Sequence, residues 1–427
     1  MSKESRQPSP KRRKVDPPSA EKTYDGLPER VDYLWLSKKH PSLHAHLKTT
    51  SRGTTLNFQD AAAVRTLNRA LLLEYYDLDV YLPATSLCPT VANRLNYLLW
   101  IKDNIIGEIA GNEELLGLDV GTGASCIYPL LGVRVLGARF VATDINRESV
   151  EVAQQNVAKN TLTDRITVVL NEQRSVTLPL DHPEMLGKSF SFSMCNPPFY
   201  ANEQEQETLR QQKRTQPRQQ TVAKPDELYT EGGEQQFVLS MADESKTWGE
   251  RVHWYSTMVG RKQTLAELRA RVRGLGARQV KEGSLLQGVT TRWVLAWSFM
   301  EKSCFALAID EDGVEKAKEW VECRMRELGV EVCQQDGSVL RCSASEVTWT
   351  RRARRQKDKN ESLEASAAAS TDRPPNVLVF TVSVDADSAA DAGSAKQEVR
   401  LRFVSGSAGP SSLASLYNHL LRQLRQS

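Results

Sequence analysis

At 427 residues, with 40% hydrophobic and 26% charged residues, the chain has the composition of a globular protein and exceeds one ordinary domain. Its 56 basic and 53 acidic side chains leave a formal net charge of only +3, so the distribution of charge says more than the total. No apolar stretch approaches the roughly 18 residues that span a bilayer, and the N-terminus has no signal-peptide apolar core. Seven cysteines without a CxxC pair argue for a reducing compartment and against disulfides or a zinc cage.

In chain order, residues 1–26 are too polar to fold, and Lys11-Arg12-Arg13-Lys14 sits between Pro10 and Pro17. The cluster reads as a nuclear localisation signal; an arm that touches nucleic-acid phosphates is the alternative. Residues 27–110 form a mostly helical extension. Asn57 and Asp60 open a run with Val64, Leu67, Leu71 and Leu72 at helical spacing, and Thr90 caps a second with Leu95, Leu98 and Leu99 on one face. Asp79–Leu82 between them is expected to be a short strand.

From 111 to 301 strand and helix patterns alternate as in a doubly wound sheet. Strands are expected near 115–120, 139–144, 166–170, 190–195, 252–259, 278–282 and 291–299, the last two joined through a turn containing Gly288. Helices are expected near 124–132, 146–160, 233–247 and 263–274. The first strand, Leu115–Val120, runs into Gly121-Thr-Gly123, where glycine permits close backbone approach to a ligand. Cys126 stands where a dinucleotide fingerprint would have its third glycine. The second strand ends in Asp144, an acid suited to a ribose hydroxyl and equally to capping the next helix. The fourth closes in Asn196-Pro197-Pro198-Phe199.

That tetrapeptide suits chemistry at an amino group conjugated to a flat π-system. The Asn196 oxygen can accept one N–H, the Pro197 carbonyl another, and Phe199 offers a stacking face. Asn-Pro is also a plain turn signal. A glycine loop, a ribose-binding acid and an amine-binding tetrapeptide together fit S-adenosylmethionine as cofactor. The polar link from Tyr200 to Glu231, with Lys213, Arg214 and Arg218, is long and without evident structure and reads as a mobile lid or RNA clamp, with an insertion that has no function as the alternative.

Residues 302–427 form a smaller α+β module. Strands are expected at 305–309, 330–333, 339–342, 346–350, 377–384 and 399–404, helices at 313–328 and 411–425, and a low-complexity insert at about 356–375. Arg351, Arg352, Arg354, Arg355, Lys357 and Lys359 form a basic patch beside an apparently exposed Trp349.

Over roughly residues 30–300 the chain resembles the methyltransferase-like protein 16 family. The likeness rests on Leu56-Asn-Phe-Gln-Asp60, Pro89-Thr-Val-Ala-Asn-Arg94-Leu-Asn-Tyr97, Asp119-Val-Gly-Thr-Gly-Ala-Ser-Cys-Ile-Tyr-Pro129 and Met194-Cys-Asn-Pro-Pro-Phe199. Glu231–Phe237, Trp254–Gly260 and Arg292–Phe299 extend it. The resemblance implies a Rossmann-like class I methyltransferase with a seven-stranded, mostly parallel sheet. It further implies transfer to adenosine N6 in structured RNA, with U6 small nuclear RNA as partner, and no metal. By position, Arg94 would meet the cofactor carboxylate, Gly121 its backbone, Asp144 the ribose, and Ser175 the region of the adenine. Asn196 would be shared between cofactor and substrate amine. Asp144 and Ser175 depart from the family's usual Glu and Thr but keep the hydrogen-bonding group. By resemblance the C-terminal module is an auxiliary RNA-binding domain. Another RNA, a protein glutamine, or an RNA-binding scaffold role are the competing readings.

Overall fold

The structure, a computed structural model, describes residues 26–28, 31–51, 53–109, 114–211, 222–287, 290–302, 304–310, 314–336, 339–345, 347–349, 378–386, 396–405 and 407–424. The basic tail, Lys213, Arg214 and Arg218, Gly288, the 351–359 patch and the 356–375 insert lie outside the described residues.

The chain enters through α1 (Tyr33–Lys39), the antiparallel hairpin β1 (Leu47–Thr50) and β2 (Gly53–Leu56), α2 (Ala61–Tyr76) and α3 (Val91–Asn104). The hairpin was not foreseen in a region expected to be mostly helical. Asp60 caps α2 by accepting the Ala62 N–H at 2.9 Å. Val64, Leu67, Leu71 and Leu72 are buried along one face, as their spacing requires. Buried Asn68 of α2 accepts the Val91 N–H at 2.9 Å, which satisfies a free donor at the start of α3.

Asp79–Leu82 is not a strand. The amides of Asp79 and Tyr81 donate to the side-chain oxygens of Asn160 and Asn156 at 2.8 and 2.7 Å. Their carbonyls accept from the same two asparagines at 3.0 Å each. With those backbone groups paired to side chains, the segment stays extended without a strand partner.

The central unit then runs β3 (Leu116–Val120), α4 (Ile127–Leu136), β4 (Arg139–Asp144), α5 (Arg147–Lys159), β5 (Ile166–Leu170) and β6 (Phe190–Cys195). It continues with α6 (Glu203–Gln211), α7 (Pro225–Leu228), α8 (Gly233–Trp248), β7 (Val252–Val259), α9 (Lys262–Gly274), β8 (Gln279–Gln287) and β9 (Thr290–Ser298). Seven strands pair in the order β5-β4-β3-β6-β7-β9-β8, parallel except where β9 meets β7 and β8. Alternate residues feed opposite faces. Phe140, Ala142, Phe192 and Met194 join the core beneath α2, α3 and α4. Leu118, Val120, Val141 and Cys195 join the core beneath α8 and α9. The link after Tyr200 is not structureless: α6 and α7 occupy its described parts, and Tyr200 pairs with Tyr229 in an isolated parallel bridge.

A second, antiparallel sheet follows: β10 (Cys304–Asp310), α10 (Val314–Glu327), β11 (Glu331–Asp336), β12 (Val339–Ala344), β13 (Leu378–Ala386), β14 (Lys396–Ser405) and α11 (Gly409–Leu424), with strand order β10-β14-β13-β12-β11. Two expectations fail here. Residues 347–349 form a turn and not a strand. Trp349 is 1% exposed, packed in the module's core with its indole N–H donating to the Ser412 carbonyl at 3.2 Å. An indole near a charge cluster reads as surface in the sequence, but its large apolar area favours burial once one acceptor is in reach. Arg402 reaches back to donate to the Gly107 carbonyl at 3.0 Å, tying this sheet to the chain just beyond α3.

Candidate active site

The register of the central sheet lines up the motif residues. Val120 pairs with Cys195 and with Thr143, and Asp144 pairs with Leu170. Asn171, Asp144, Gly121 and Asn196 therefore leave four adjacent strands side by side at their C-terminal ends, with neighbouring strands about 4.8 Å apart. From β3 the chain moves outward through β4 and β5, then returns to place β6 on the other side. Gly121 and Asn196 flank that switch point, where open α/β sheets bind ligands.

The loop after β3 is shaped by three left-handed residues, Gly121 (φ 74°), Gly123 (φ 64°) and Cys126 (φ 51°). Cys126 in that conformation delays the helix, so α4 starts at Ile127 instead of near 124. The Gly121 and Thr122 amides both donate to the Thr143 carbonyl at 2.9 Å. The Gly123 amide donates to Asp144 Oδ2 at 2.8 Å, and Asp144 Oδ1 accepts the Asn146 amide at 2.9 Å. A Cβ at Gly121 would meet nothing within 4 Å; the surface in front of this glycine is open. Asp144 thus braces both the glycine loop and the turn before α5 while facing the same edge. It is not the cap of α5, which is Asn146, whose side-chain oxygen accepts the Ser149 amide at 3.0 Å. Burial, the largest influence, raises the pKa of Asp144.

Asp119, one residue inside β3, was not singled out as a site residue by sequence reasoning. It is fully buried, and neither carboxylate oxygen has a hydrogen-bond partner. Burial pushes its pKa up to about 7; the Thr122 hydroxyl and the Arg94 charge oppose the rise, and Asp144 adds to it. Thr122 is close enough to favour the carboxylate, yet its own hydroxyl is not aligned to bond. Arg94, on α3, lies with its guanidinium 5.5 Å from the Tyr128 ring centre. Its charge reaches Asp119, Tyr128 and Arg292, so the structure brings it to the same edge as the glycine loop.

Beyond β6, Asn196 is half-buried and its side-chain oxygen is sealed from solvent with no partner. A buried acceptor without a donor costs about 1–3 kcal/mol unless something fills it. Pro197 is buried, Pro198 and Phe199 half-buried. Two arginines absent from the sequence expectations surround Phe199. Arg292 of β9 holds its guanidinium 5.6 Å from the ring centre, and burial lowers its pKa. Arg261 donates to the Phe199 carbonyl at 3.4 Å and pairs with Glu205 at 2.7 Å. Only the fold brings β9 and the start of α9 to this tetrapeptide.

Ser175 is exposed on the loop that follows β5. That loop is pinned by Asn171, which donates to the Val176 carbonyl at 2.7 Å and accepts the Gln173 amide at 3.1 Å. Beside it a cavity of about 540 Å³ is lined by Arg147, Asn171, Glu172 and His182 among others. Across the mouth of the glycine loop runs the segment 224–230. Glu227 Oε2 accepts the Leu87 and Lys224 amides at 2.8 Å each. Its other oxygen would lie 3.7 Å from a Cβ at Gly123. Asp226 takes a bond from Asn146 at 3.1 Å, and Lys224 pairs with Glu148 at 2.9 Å. At its far end the segment joins the tetrapeptide: the Tyr200 amide donates to the Leu228 carbonyl, and the Thr230 amide to the Tyr200 carbonyl, at 3.0 Å each. No cluster of metal-ligating side chains occurs among the described residues.

A parallel sheet with this strand order, a glycine loop at its switch point and an amine-accepting Asn-Pro-Pro-Phe beside it define a class I methyltransferase. The sequence model of a family described as RNA methyltransferase matches residues 23–301. The RNA N(6)-adenosine-methyltransferase mettl16 of Danio rerio is 40% identical over 273 residues, covering 63% of this chain and 57% of the relative. The U6 small nuclear RNA (adenine-(43)-N(6))-methyltransferase of Caenorhabditis briggsae is 35% identical over 359 residues, 79% of this chain and 74% of the relative. The human METTL16 catalytic domain in complex with MAT2A 3'UTR hairpin 1 superposes with a TM-score of 0.59 at 37% identity, covering 64% of this chain and 93% of that one. The N-terminal domain of human METTL16 in complex with SAH gives 0.54 at 36%, covering 64% and 96%. The chain belongs to the methyltransferase-like protein 16 family of RNA methyltransferases. It spans little more than half the length of its zebrafish relative.

Proposed function

We propose that this protein transfers the methyl group of S-adenosylmethionine to N6 of an unpaired adenosine in a structured RNA, with U6 small nuclear RNA as its substrate. The observation that carries the reading is the buried, partnerless oxygen of Asn196, one strand away from an open glycine loop. The residues present fit the cofactor. Asp119 offers two uncommitted carboxylate oxygens to an ammonium group, Arg94 a cation for its carboxylate, Asp144 an acceptor for ribose, and Gly121 the room for close approach. When bound, that cofactor supplies an electrophilic methyl on a sulfonium whose departure leaves a neutral thioether.

The chain's own work is then placement. Asn196 accepts one N–H of the adenine amine and thereby draws the lone pair out of conjugation with the ring. Phe199 supports the base, and Arg292 behind the ring adds positive charge toward the RNA. In-line geometry at such a site removes much of the entropic barrier. Releasing the adenine from its stack costs a few kcal/mol, least where it is already unpaired. The relative named for U6 RNA and the human domain solved with an RNA hairpin support the substrate class.

Asn196→Ala should lower single-turnover methylation by about a hundredfold or more, by analogy with removal of one aligned catalytic donor. RNA affinity should stay within a few-fold, since phosphate contacts elsewhere dominate it. The check is labelled methyl transfer to U6 RNA followed by nucleoside digestion; near-normal formation of N6-methyladenosine by the variant refutes the assignment. The basic segment 10–15 is proposed to direct nuclear import. A tagged chain lacking it should then collect in the cytoplasm, and unchanged nuclear accumulation would remove that role. The 302–427 module is proposed to add RNA affinity.

A further inference from the structure

Three aromatic rings leave the active site in a row. Phe199 and Tyr200 have ring centres 6.3 Å apart at 60°, and Tyr200 and Tyr229 are 6.5 Å apart at 49°. All three are half-buried, and none belongs to any of the three hydrophobic cores or packs against one. Aromatic side chains ordinarily bury their area in a core; Phe140 and Phe192, edge to face at 79° inside the sheet, do that here. The outer rings are also held rigidly. The Tyr200 and Tyr229 backbones pair as a parallel bridge, which sets their side chains on one face. The Tyr229 hydroxyl donates to Gln206 at 2.6 Å. Arg261 and Arg292 stand at the inner end of the row. Successive aromatic faces beside cations are what a single-stranded nucleic acid stacks on.

We propose that Tyr200 and Tyr229 form a stacking shelf for the RNA nucleotide directly next to the target adenosine, a subsite outside the methyl-transfer pocket. The inference rests on the RNA-methyltransferase reading above. Phe199 serves the target base. The next ring outward, Tyr200, is joined to it by a single peptide bond, so a neighbouring nucleotide meets Tyr200 and Tyr229 as it leaves the pocket. The shelf offers ring faces more than base-edge partners, because the Tyr229 hydroxyl is already committed to Gln206. It therefore selects for an unstacked, exposed neighbour and not for one base identity.

The test is a binding cycle on the full chain, using the tightest-bound of a panel of RNA hairpins that each present one unpaired adenosine. The neighbouring nucleotide, 5′ or 3′, is either intact or abasic. Tyr229→Ala should weaken binding about 5- to 150-fold, the equivalent of about 1–3 kcal/mol per stacked base. Tyr229→Phe should bind like the parent. The abasic RNA should bind the parent more weakly by a similar factor at one of the two positions, and Tyr229→Ala should lose nothing further there. Losses that multiply at both positions overturn the shelf. So does a Tyr229→Ala chain with lowered melting temperature but unchanged RNA affinity, since the rings would then be packing. Affinity decides the cycle without catalysis. If the bound hairpin is never methylated at N6, the functional reading falls while the shelf is still judged; if methylation proceeds and the cycle fails, only the shelf falls.

Discussion

Replacing Asp119 by Asn should change how the stability of the empty protein and its affinity for cofactor depend on pH. Burial holds the Asp119 carboxyl at about 7 against an ordinary 3.8, so ionising it inside the sheet costs about 4 kcal/mol at about 1.4 kcal/mol per pH unit. Between pH 4 and 7 the folded chain keeps a proton that the unfolded chain has released. Stability therefore falls as pH rises through this window and levels off above about 7. Asp119→Asn should remove most of that slope. A remainder should persist, because burial also raises Asp144, Glu227 and Glu234. The assay is urea unfolding followed by tryptophan fluorescence at pH 4.5, 5.5, 6.5 and 7.5, with the difference between parent and variant changing by a few kcal/mol across the series. Cofactor binding supplies the converse. An ammonium placed against Asp119 requires the carboxylate, so affinity for S-adenosylhomocysteine should rise about tenfold per pH unit below 7 and flatten above it, and in Asp119→Asn should be weak and pH-independent. Parallel stability curves for the two proteins would refute the assignment of a costly buried charge. A parent whose affinity is flat with pH would refute its pairing with the ligand.

Asn156→Ala should destabilise the protein by about 2–4 kcal/mol, because one buried side chain serves the Tyr81 amide, the Tyr81 carbonyl and the Ala124 carbonyl at 2.7, 3.0 and 3.1 Å and all three would be orphaned. Thermal melts measure it, and cofactor affinity should drop with it since Ala124 belongs to the glycine loop. Removing residues 302–427 should leave single-turnover methylation of saturating RNA in place while lowering RNA affinity, through loss of effective concentration. Salt-dependent binding alongside single-turnover rates checks this, and an unchanged affinity and salt slope would strip the module of its RNA-binding role.

Three central strands were legible because each is an apolar run that ends at a punctuating residue: Gly121, Asp144, the Asn196-Pro197 pair. Those terminators are also the site residues, so fold and candidate site were read from the same letters. By contrast β8, expected to stop at 282, runs on to Gln287 through a stretch with Gly283 and Ser284 that carries little apolar signal. What stayed hidden depends on distance in sequence. Asp119 sits among apolar neighbours and reads as an interruption; its meaning comes from total burial. Arg261 and Arg292 follow Phe199 by more than sixty residues; the β6–β7 pairing returns the first to it and the β7–β9 pairing the second. Asp79–Leu82 alternates like a strand, but Asn156 and Asn160 outbid any strand for its hydrogen bonds. Trp349 was misjudged for the company it keeps, since the arginines after it say nothing about the direction of its indole.

The segment 224–230 is bonded at one end to Leu87 and Asn146 beside the glycine loop, and at the other to Tyr200 beside the tetrapeptide. It is a wall held in common by two chambers. If its position differs between the bound states of the two motifs, linkage makes the effect on the two occupants' affinities equal and reciprocal. Glu227 accepts the Leu87 and Lys224 amides together, so the segment is fastened where its carboxylate also comes close to Gly123. Under the proposed function, a cofactor on the glycine loop and an RNA base at the tetrapeptide would both lean on this one segment.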